Sequence, residues 1–473
     1  MKLLTLITML LYPAFAWTAV SFPPIIDSNM VLQRQSTVVL WGTATPQAQV
    51  IITTSWNQQT YTATAAADGR FRVEVTTTEA GGPYTITFDD GQRTELDNVM
   101  LGEVWLCMGQ SNMEEPMDGF DHDSQIIIGG PEAIAAANPQ VPIRMFTHER
   151  QNPGSGTVYD EYRNKGKWEQ NTPEAVTKTS ATAYFFARYL QEQLQVPVGI
   201  VISAWSGANI RPFMSREATK DAIDQGVGIG YDCGLYNGMI ATLRPLRFRG
   251  LIWYQGEANI DAGFKKNEEQ PEWYRIMFKS FLSDLRQKFQ NGQFPCYYAE
   301  MAPFNYKSDG VAPAFREMQA ELQDEIERVG MVSTVDVGDS GIHPPLKEVI
   351  GRRMALWALN RDYGRTEVVC ESPVFDRWEP VGPGKARVWV KNIQGGPLHT
   401  NGYYAQGFLL QDDEGNWHSA SGSVDGERGT IEVRSDALCN SQPQAVRYCF
   451  EDFQNGNVYS GAGLPLIPFR SNR

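Results

Sequence analysis

The spacing of apolar and polar positions changes twice along the chain. From residue 17 to about 98 it runs in short stretches, several of them alternating: Val38-Val39-Leu40-Trp41, Val50-Ile51-Ile52, Tyr61-Thr62-Ala63-Thr64, Phe71-Arg72-Val73-Glu74-Val75 and Tyr84-Thr85-Ile86-Thr87-Phe88. Asp68-Gly69, Gly81-Gly82-Pro83 and Asp90-Gly91 are turn signals between them. Short strands so spaced predict a β-sandwich. From 99 to 362, near-continuous apolar runs alternate with helical stripes. Val104–Met108, Pro197–Ser203, Leu251–Tyr254, Cys296–Ala299 and Met331–Val335 read as strands buried on both faces. Phe186, Leu190 and Leu194 mark one helix. Tyr274, Phe278, Phe281, Leu282, Leu285 and Phe289 mark another that Pro271 opens, and Ala314–Glu327 and Pro344–Leu359 read as two more. Alternating strands and helices predict an α/β domain with a parallel sheet covered on both faces. From 363 to 473, Ala386–Lys391, Gly407–Gln411, Thr430–Val433 and Ala445–Phe450 return to short strands and predict a second β-rich domain.

In a parallel α/β sheet, ligands gather beyond the carboxyl ends of the strands. Four predicted strand ends carry glycine and polar side chains: Gly109-Gln110-Ser111-Asn112, Ser206-Gly207-Ala208-Asn209, Gln255-Gly256-Glu257-Ala258-Asn259 and Asp336 through His343. Met113-Glu114-Glu115 after the first suits a helix first turn, so Ser111 lies on a strand-loop-helix turn and is a candidate nucleophile. By itself that stretch reads equally well as a plain Gly/Asn/Ser turn. Of the five histidines, only His343 stands at a strand end, and it is the candidate general base. The Ser111 and Gly207 N–H groups and the Gln255 amide are candidate oxyanion donors. The acid that orients His343 stays open: Asp339 comes first, with Asp336 and Glu257 as alternatives. The histidines are few and unpaired, which predicts no metal site.

Composition narrows the picture. A chain of 473 residues holds two or three domains, and a net charge of −14 argues against nucleic acid or an anionic membrane as partner. Residues 1–16 read as a secretory signal, with Leu3–Leu11 too short to span a bilayer and Ala14-Phe15-Ala16 as a cleavage site. The expected location is therefore secreted or periplasmic. The six cysteines contain no CxxC pair; Cys439 and Cys449 are near enough to meet across a hairpin, while buried free thiols are the preferred reading.

With these blocks placed, the chain resembles the sialate O-acetylesterase family of SGNH-type serine esterases. Gly109-Gln110-Ser111-Asn112-Met113 is similar to its nucleophile block, Trp253-Tyr254-Gln255-Gly256-Glu257 to its third block and Ile342-His343-Pro344 to its histidine block. Tyr236–Ile240, Asn29–Arg34, Trp41–Ala44 and Gly463–Arg470 extend the likeness over nearly the whole mature chain. The resemblance implies a three-layer SGNH-hydrolase-like α/β domain (99–362) between β-rich accessory domains (17–98 and 363–473). It implies a carbohydrate O-acetylesterase that needs no cofactor or metal and forms an acetyl-enzyme on Ser111. The substrate would be a small-molecule or oligosaccharide acetyl ester, first an O-acetylated sialic acid, with acetylxylan or another plant glycan as the alternative. Asn112, Glu257 and Arg211 are the expected substrate contacts, and Arg244 and Arg247 are further candidates for a sialate carboxylate. Three departures stand out. Met108 stands where the family usually has a small residue. Ser206-Gly207-Ala208 replaces Gly-Gly-Thr, and Ser340 stands where many relatives of the broader group carry an aspartate. A different class, a glycan-binding protein on a disabled esterase fold, is disfavoured by the intact Ser111, Gly207, Gln255 and His343.

Overall fold

A computed structural model describes residues 19–121, 126–260 and 270–472. The predicted signal segment and His122 lie outside these residues. The organising element is a single 17-residue strand, Arg93–Gly109. Its first part pairs antiparallel with Gly81–Asp89 and parallel with Val31–Gln33. Its second part lies at the middle of the α/β sheet, parallel to Val198–Ala204 on one side and to Gly250–Tyr254 on the other. The strand thus crosses the expected 98/99 boundary without ending, with Asn98 at φ 53° where its pairing to Gly81–Asp89 shifts register.

The central sheet runs Val329–Val332, Cys296–Ala299, Gly250–Tyr254, Arg93–Gly109, Val198–Ala204, Ile143–His148, Gly166–Gln170. It is mixed rather than wholly parallel, because Gly166–Gln170 pairs antiparallel with Ile143–His148. An antiparallel return needs no crossover helix, so the chain can close this edge with irregular connection alone. Side chains of a strand alternate between faces. Accordingly Val104, Leu106 and Met108 enter a core with Phe278, Phe281, Phe315 and Leu322 from helices Gln270–Phe289 and Val311–Glu325. Trp105 and Cys107 enter the opposite core, with Phe185, Phe186, Leu190, Met354 and Trp357 from helices Ala181–Leu194 and Lys347–Asp362. Among the described residues no helix is long and apolar enough to cross a membrane.

At the other end of the central strand, Glu103 is fully buried and joins four segments. It accepts from Gln33 Nε2 at 3.0 Å, Arg34 Nε at 2.6 Å, Arg249 Nε at 2.9 Å and the Tyr363 hydroxyl at 3.0 Å. Burial pushes its carboxyl up, but the hydrogen bond and charge of Arg249, with the Gln33 and Arg34 bonds, hold it below the usual range. The C-terminal region forms a seven-stranded sheet. It presses on the loops that lead to His343. Gly456 N–H donates to Val335 O at 3.0 Å, Asn455 Nδ2 to Gly338 O at 2.9 Å, and the buried Arg316 guanidinium reaches the Glu451 and Asp452 carbonyls. All six cysteines are free thiols; Cys449 is buried and Cys439 exposed.

His148 gives the fold a measurable acid sensitivity. Its ring sits between the Glu149 carbonyl at 2.7 Å and the Thr242 hydroxyl at 3.0 Å, and burial lowers its pKa to about 4. A depressed pKa means stability present above the unfolded value and lost as pH falls through the folded one. Between about pH 6.5 and 4 the unfolding free energy should drop by about 3 kcal/mol from this residue alone. Urea unfolding of wild type and His148→Gln at pH 7 and 4.5 checks it, since the variant should show a smaller loss.

Candidate active site

The turn at the carboxyl end of the central strand is fixed by covalent geometry. Gly109 has φ +149°, and a Cβ there would meet the Tyr254 carbonyl oxygen at 2.1 Å. Only glycine allows this approach. Gln110 N–H then donates to Tyr254 O and Trp205 N–H to Gly109 O, both at 3.0 Å, so the turn is tied to the strand ends on both sides. Helix Ser111–Glu114 begins at once. As its first residue, Ser111 has an N–H with no acceptor inside the helix, free to receive negative charge. Ser111 is 5% exposed, at the floor of the site.

The Asn112 side chain connects the strand ends. Its Nδ2 donates to Glu257 Oε1 at 2.9 Å and to the Ile342 carbonyl at 3.2 Å, and its Oδ1 accepts from Lys347 Nζ at 2.5 Å. The residue after the candidate nucleophile is thus bonded to the residue before His343 and to a buried carboxylate. Glu257 also accepts from Ala302 N–H at 3.3 Å. Burial pushes the Glu257 carboxyl above its ordinary value, while those hydrogen bonds and the charge of nearby His343 pull it back. The His343 ring packs against Phe120, centroids 5.4 Å apart.

Asp336 and Asp339 have partners of their own. Asp336 is held through both carboxylate oxygens by Arg353, each at 2.7 Å. Asp339 accepts from the Ser340 N–H at 2.6 Å on an exposed loop. Asn112 and Glu257, expected to meet substrate, are buried, with the Asn112 amide engaged by protein groups at both ends. Gln255, expected as an oxyanion donor, gives its two amide protons to Asn259 Oδ1 at 2.8 Å and Gln110 Oε1 at 3.0 Å, with Ala208 O at 3.4 Å. An NH₂ group has two protons, so these bonds use the amide to fix the site's walls.

Gly207 lies on the loop after Val198–Ala204, at φ +73°, and a Cβ there would meet nothing within 4 Å. The preceding Ser206 N–H is anchored on Glu114 Oε2 at 2.6 Å, and Glu114 is gripped by Arg150 at 2.6 and 2.9 Å. The Arg150 guanidinium in turn lies 5.0 Å over the Trp205 ring. Beside this loop is a cavity of about 230 Å³ lined by Asn152, Trp205, Gly207, Asn209 and Asp232 among others. Arg211 starts a short turn at its edge, its N–H on Asn209 Oδ1 at 2.9 Å. Arg244 and Arg247 are committed elsewhere, to the Ala241 carbonyl and to the Phe289 and Gln290 carbonyls.

Gln110 and Lys347 did not stand out in the sequence. Gln110 Oε1 accepts from Gln255 Nε2, Ala258 N–H at 3.1 Å and Gly256 N–H at 3.3 Å, joining the nucleophile turn to the Gln255 loop. Its signal was its place between Gly109 and Ser111. Lys347 had none beyond lying four residues past His343.

Comparison with known proteins agrees with this geometry. Residues 101–355 match the family described as carbohydrate esterase, sialic acid-specific acetylesterase, and residues 26–98 match a bacterial Ig domain. The chain is 27% identical to the sialate O-acetylesterase of Mus musculus over 421 residues, covering 75% of each. It is 26% identical to that of Homo sapiens over 401 residues, covering 76% of this chain and 74% of that one. The crystal structure of a carbohydrate acetylesterase from Xanthomonas citri superposes with TM-score 0.82 at 31% identity, covering 96% of this chain and all of that one. The chain belongs to the sialic acid-specific acetylesterase family and is a carbohydrate esterase.

Proposed function

We propose that this esterase works through an acetyl-serine. Ser111 Oγ attacks the acetyl carbonyl while His343 takes its proton, and the N–H groups of Ser111 and Gly207 receive the oxyanion. His343 returns the proton to the departing sugar oxygen, then activates the water that releases acetate. Glu257, whose carboxyl feels the charge of nearby His343, balances the imidazolium that forms. The observation that carries this reading is the Asn112 amide, which bonds Glu257 and the carbonyl beside His343 from the position next to Ser111. Asp336 is spent on Arg353, and Asp339 has a backbone partner on the surface. Gln255 fixes Gln110, Asn259 and Ala208, and so holds the Gly207 loop. A three-layer arrangement goes with this reading, one helix pair on each face of the sheet. Export, argued from residues 1–16, fits an enzyme for extracellular glycans.

For the sugar, the family match and the mammalian relatives support an O-acetylated sialic acid. A neutral glycan such as acetylxylan is a second reading, favoured by the cavity beside Gly207. Asp232 lines it with Asn152, Asn209 and Trp205, and the nearby Arg150 is neutralised by Glu114. A carboxylate there opposes a sialate and accepts hydrogen bonds from neutral hydroxyls. Acetate release from O-acetylated sialic acid and acetylated xylo-oligosaccharide, measured side by side, separates the two. Faster release from the sialic acid upholds the first reading; faster release from the xylo-oligosaccharide establishes the second; release from neither refutes the activity.

A further inference from the structure

Behind the candidate nucleophile lies a buried ion pair that the acyl-transfer chemistry does not use. Lys347 and Glu115 are 0% and 1% exposed in their side chains, with Nζ 2.8 Å from Glu115 Oε2. Glu115 closes the short helix that Ser111 opens, its N–H on the Ser111 carbonyl at 2.7 Å. Lys347 opens helix Lys347–Asp362, four residues after His343. The pair therefore ties the segment carrying one catalytic candidate to the segment carrying the other. Desolvating two charges is costly, and an ion pair of this kind adds little net stability over an apolar pair of the same shape. Stability alone does not explain its presence.

The third group in contact gives the reason. An ammonium can only donate, so the Asn112 atom facing Lys347 Nζ at 2.5 Å must be the amide oxygen. The amide nitrogen is thereby turned to the opposite side, where it finds two acceptors, Glu257 Oε1 and the Ile342 carbonyl. Were the amide reversed, its oxygen would face a carboxylate and a carbonyl, and its NH₂ would face an ammonium. Three contacts would turn repulsive together. We propose that Lys347, held by Glu115, is a positioning residue that fixes the orientation of the Asn112 amide and through it the placement of His343 against Glu257. The ammonium does not touch substrate. Its effect is to make one of two near-isosteric amide states overwhelmingly favoured, and that state alone supplies protons to both catalytic segments.

This proposal rests on the serine mechanism above. The test keeps the two apart by measuring Ser111→Ala beside it: a Ser111→Ala enzyme with wild-type turnover sinks the mechanism whatever Lys347 does. Lys347→Met alone leaves Glu115 buried and unpaired and can fail to fold, so the informative variant is Lys347→Met with Glu115→Leu. It removes both charges together, and its melting temperature should stay near that of the wild type. Its kcat on an activated acetyl ester should fall by about 10²-fold, the scale of a misplaced catalytic group, with KM unchanged. The acid limb of its kcat/KM profile should move to higher pH, because Glu257 loses the directed amide proton that favours its charged form. A folded double variant with wild-type kcat and an unmoved acid limb overturns the proposal. Should the double variant not fold, Asn112→Asp decides. It keeps an acceptor for Lys347 but cannot donate to Glu257 or Ile342, so the same loss and shift are expected, and wild-type turnover overturns the proposal.

Discussion

Ser111→Ala should lower kcat for acetyl ester hydrolysis by about 10⁵-fold to 10⁶-fold, the scale seen when the nucleophile of a serine hydrolase is removed. The fold should survive. Ser111 is the first residue of its helix, where alanine is tolerated, and the turn is shaped by Gly109 and by backbone bonds to Tyr254 and Trp205 that the hydroxyl does not make. Circular dichroism and a melting curve matching the wild type, with residual acetate release near background, is the expected pair of results. Loss of both activity and folding would assign Ser111 to structure instead.

Glu257→Gln should cost about 10⁴-fold in kcat, comparable to neutralising the acid of a Ser-His-Asp triad. Asp339→Asn should stay within about 10-fold of the wild type, as expected for a residue outside the proton relay. This pair of variants decides which acid serves His343. The same carboxyl sets a pH dependence. Burial raises it above the ordinary carboxylate value. It must be ionised to balance the imidazolium, so activity should fall as pH drops toward that raised value, above the range of an exposed glutamate. The stability sign is opposite. A carboxyl raised in the folded state contributes stability below its unfolded pKa, and that contribution is lost as pH rises through the folded one. The folded protein at pH 8 therefore carries an unfavourable buried charge, with Glu257 Oε2 lacking a hydrogen-bond partner among the described residues. Glu257→Gln keeps an acceptor for Asn112 and Ala302 and removes the charge. Its urea midpoint at pH 8 should equal or exceed that of the wild type while its activity is lost.

The parts of this site that could be read from the chain are those set by local geometry. An apolar run ending in Gly109, followed by Gln110-Ser111-Asn112, announces a strand, a turn and a helix, and the structure has each. Gly207 was legible as a glycine in the loop after a strand, and it lies there at φ +73° with open space beside its Cα. What depends on which strands are neighbours was not legible. Glu257 meets Asn112 because Gly250–Tyr254 lies directly beside Arg93–Gly109, far from it in sequence. Nothing in the spacing distinguished it from Asp339, which lies much nearer His343 along the chain. The continuity of Arg93–Gly109 was hidden by Asp97-Asn98, where the alternation breaks although the strand does not. The parallel sheet was legible from its apolar runs, but not its antiparallel edge strand, Gly166–Gln170, which carries charged and half-buried residues. Lys347 illustrates a further limit. A lysine in a helix first turn reads as solvated, and only the packing of Glu115 and Asn112 around it makes burial tolerable.

The most direct test of the central claim is the site of covalent modification by a fluorophosphonate, which reacts with an activated serine and is not turned over. The account predicts complete inactivation, one phosphonyl group on the peptide carrying Ser111, and no labelling of His343→Ala under the same conditions. Full activity after treatment, or labelling that spares Ser111 while activity is lost, would contradict it.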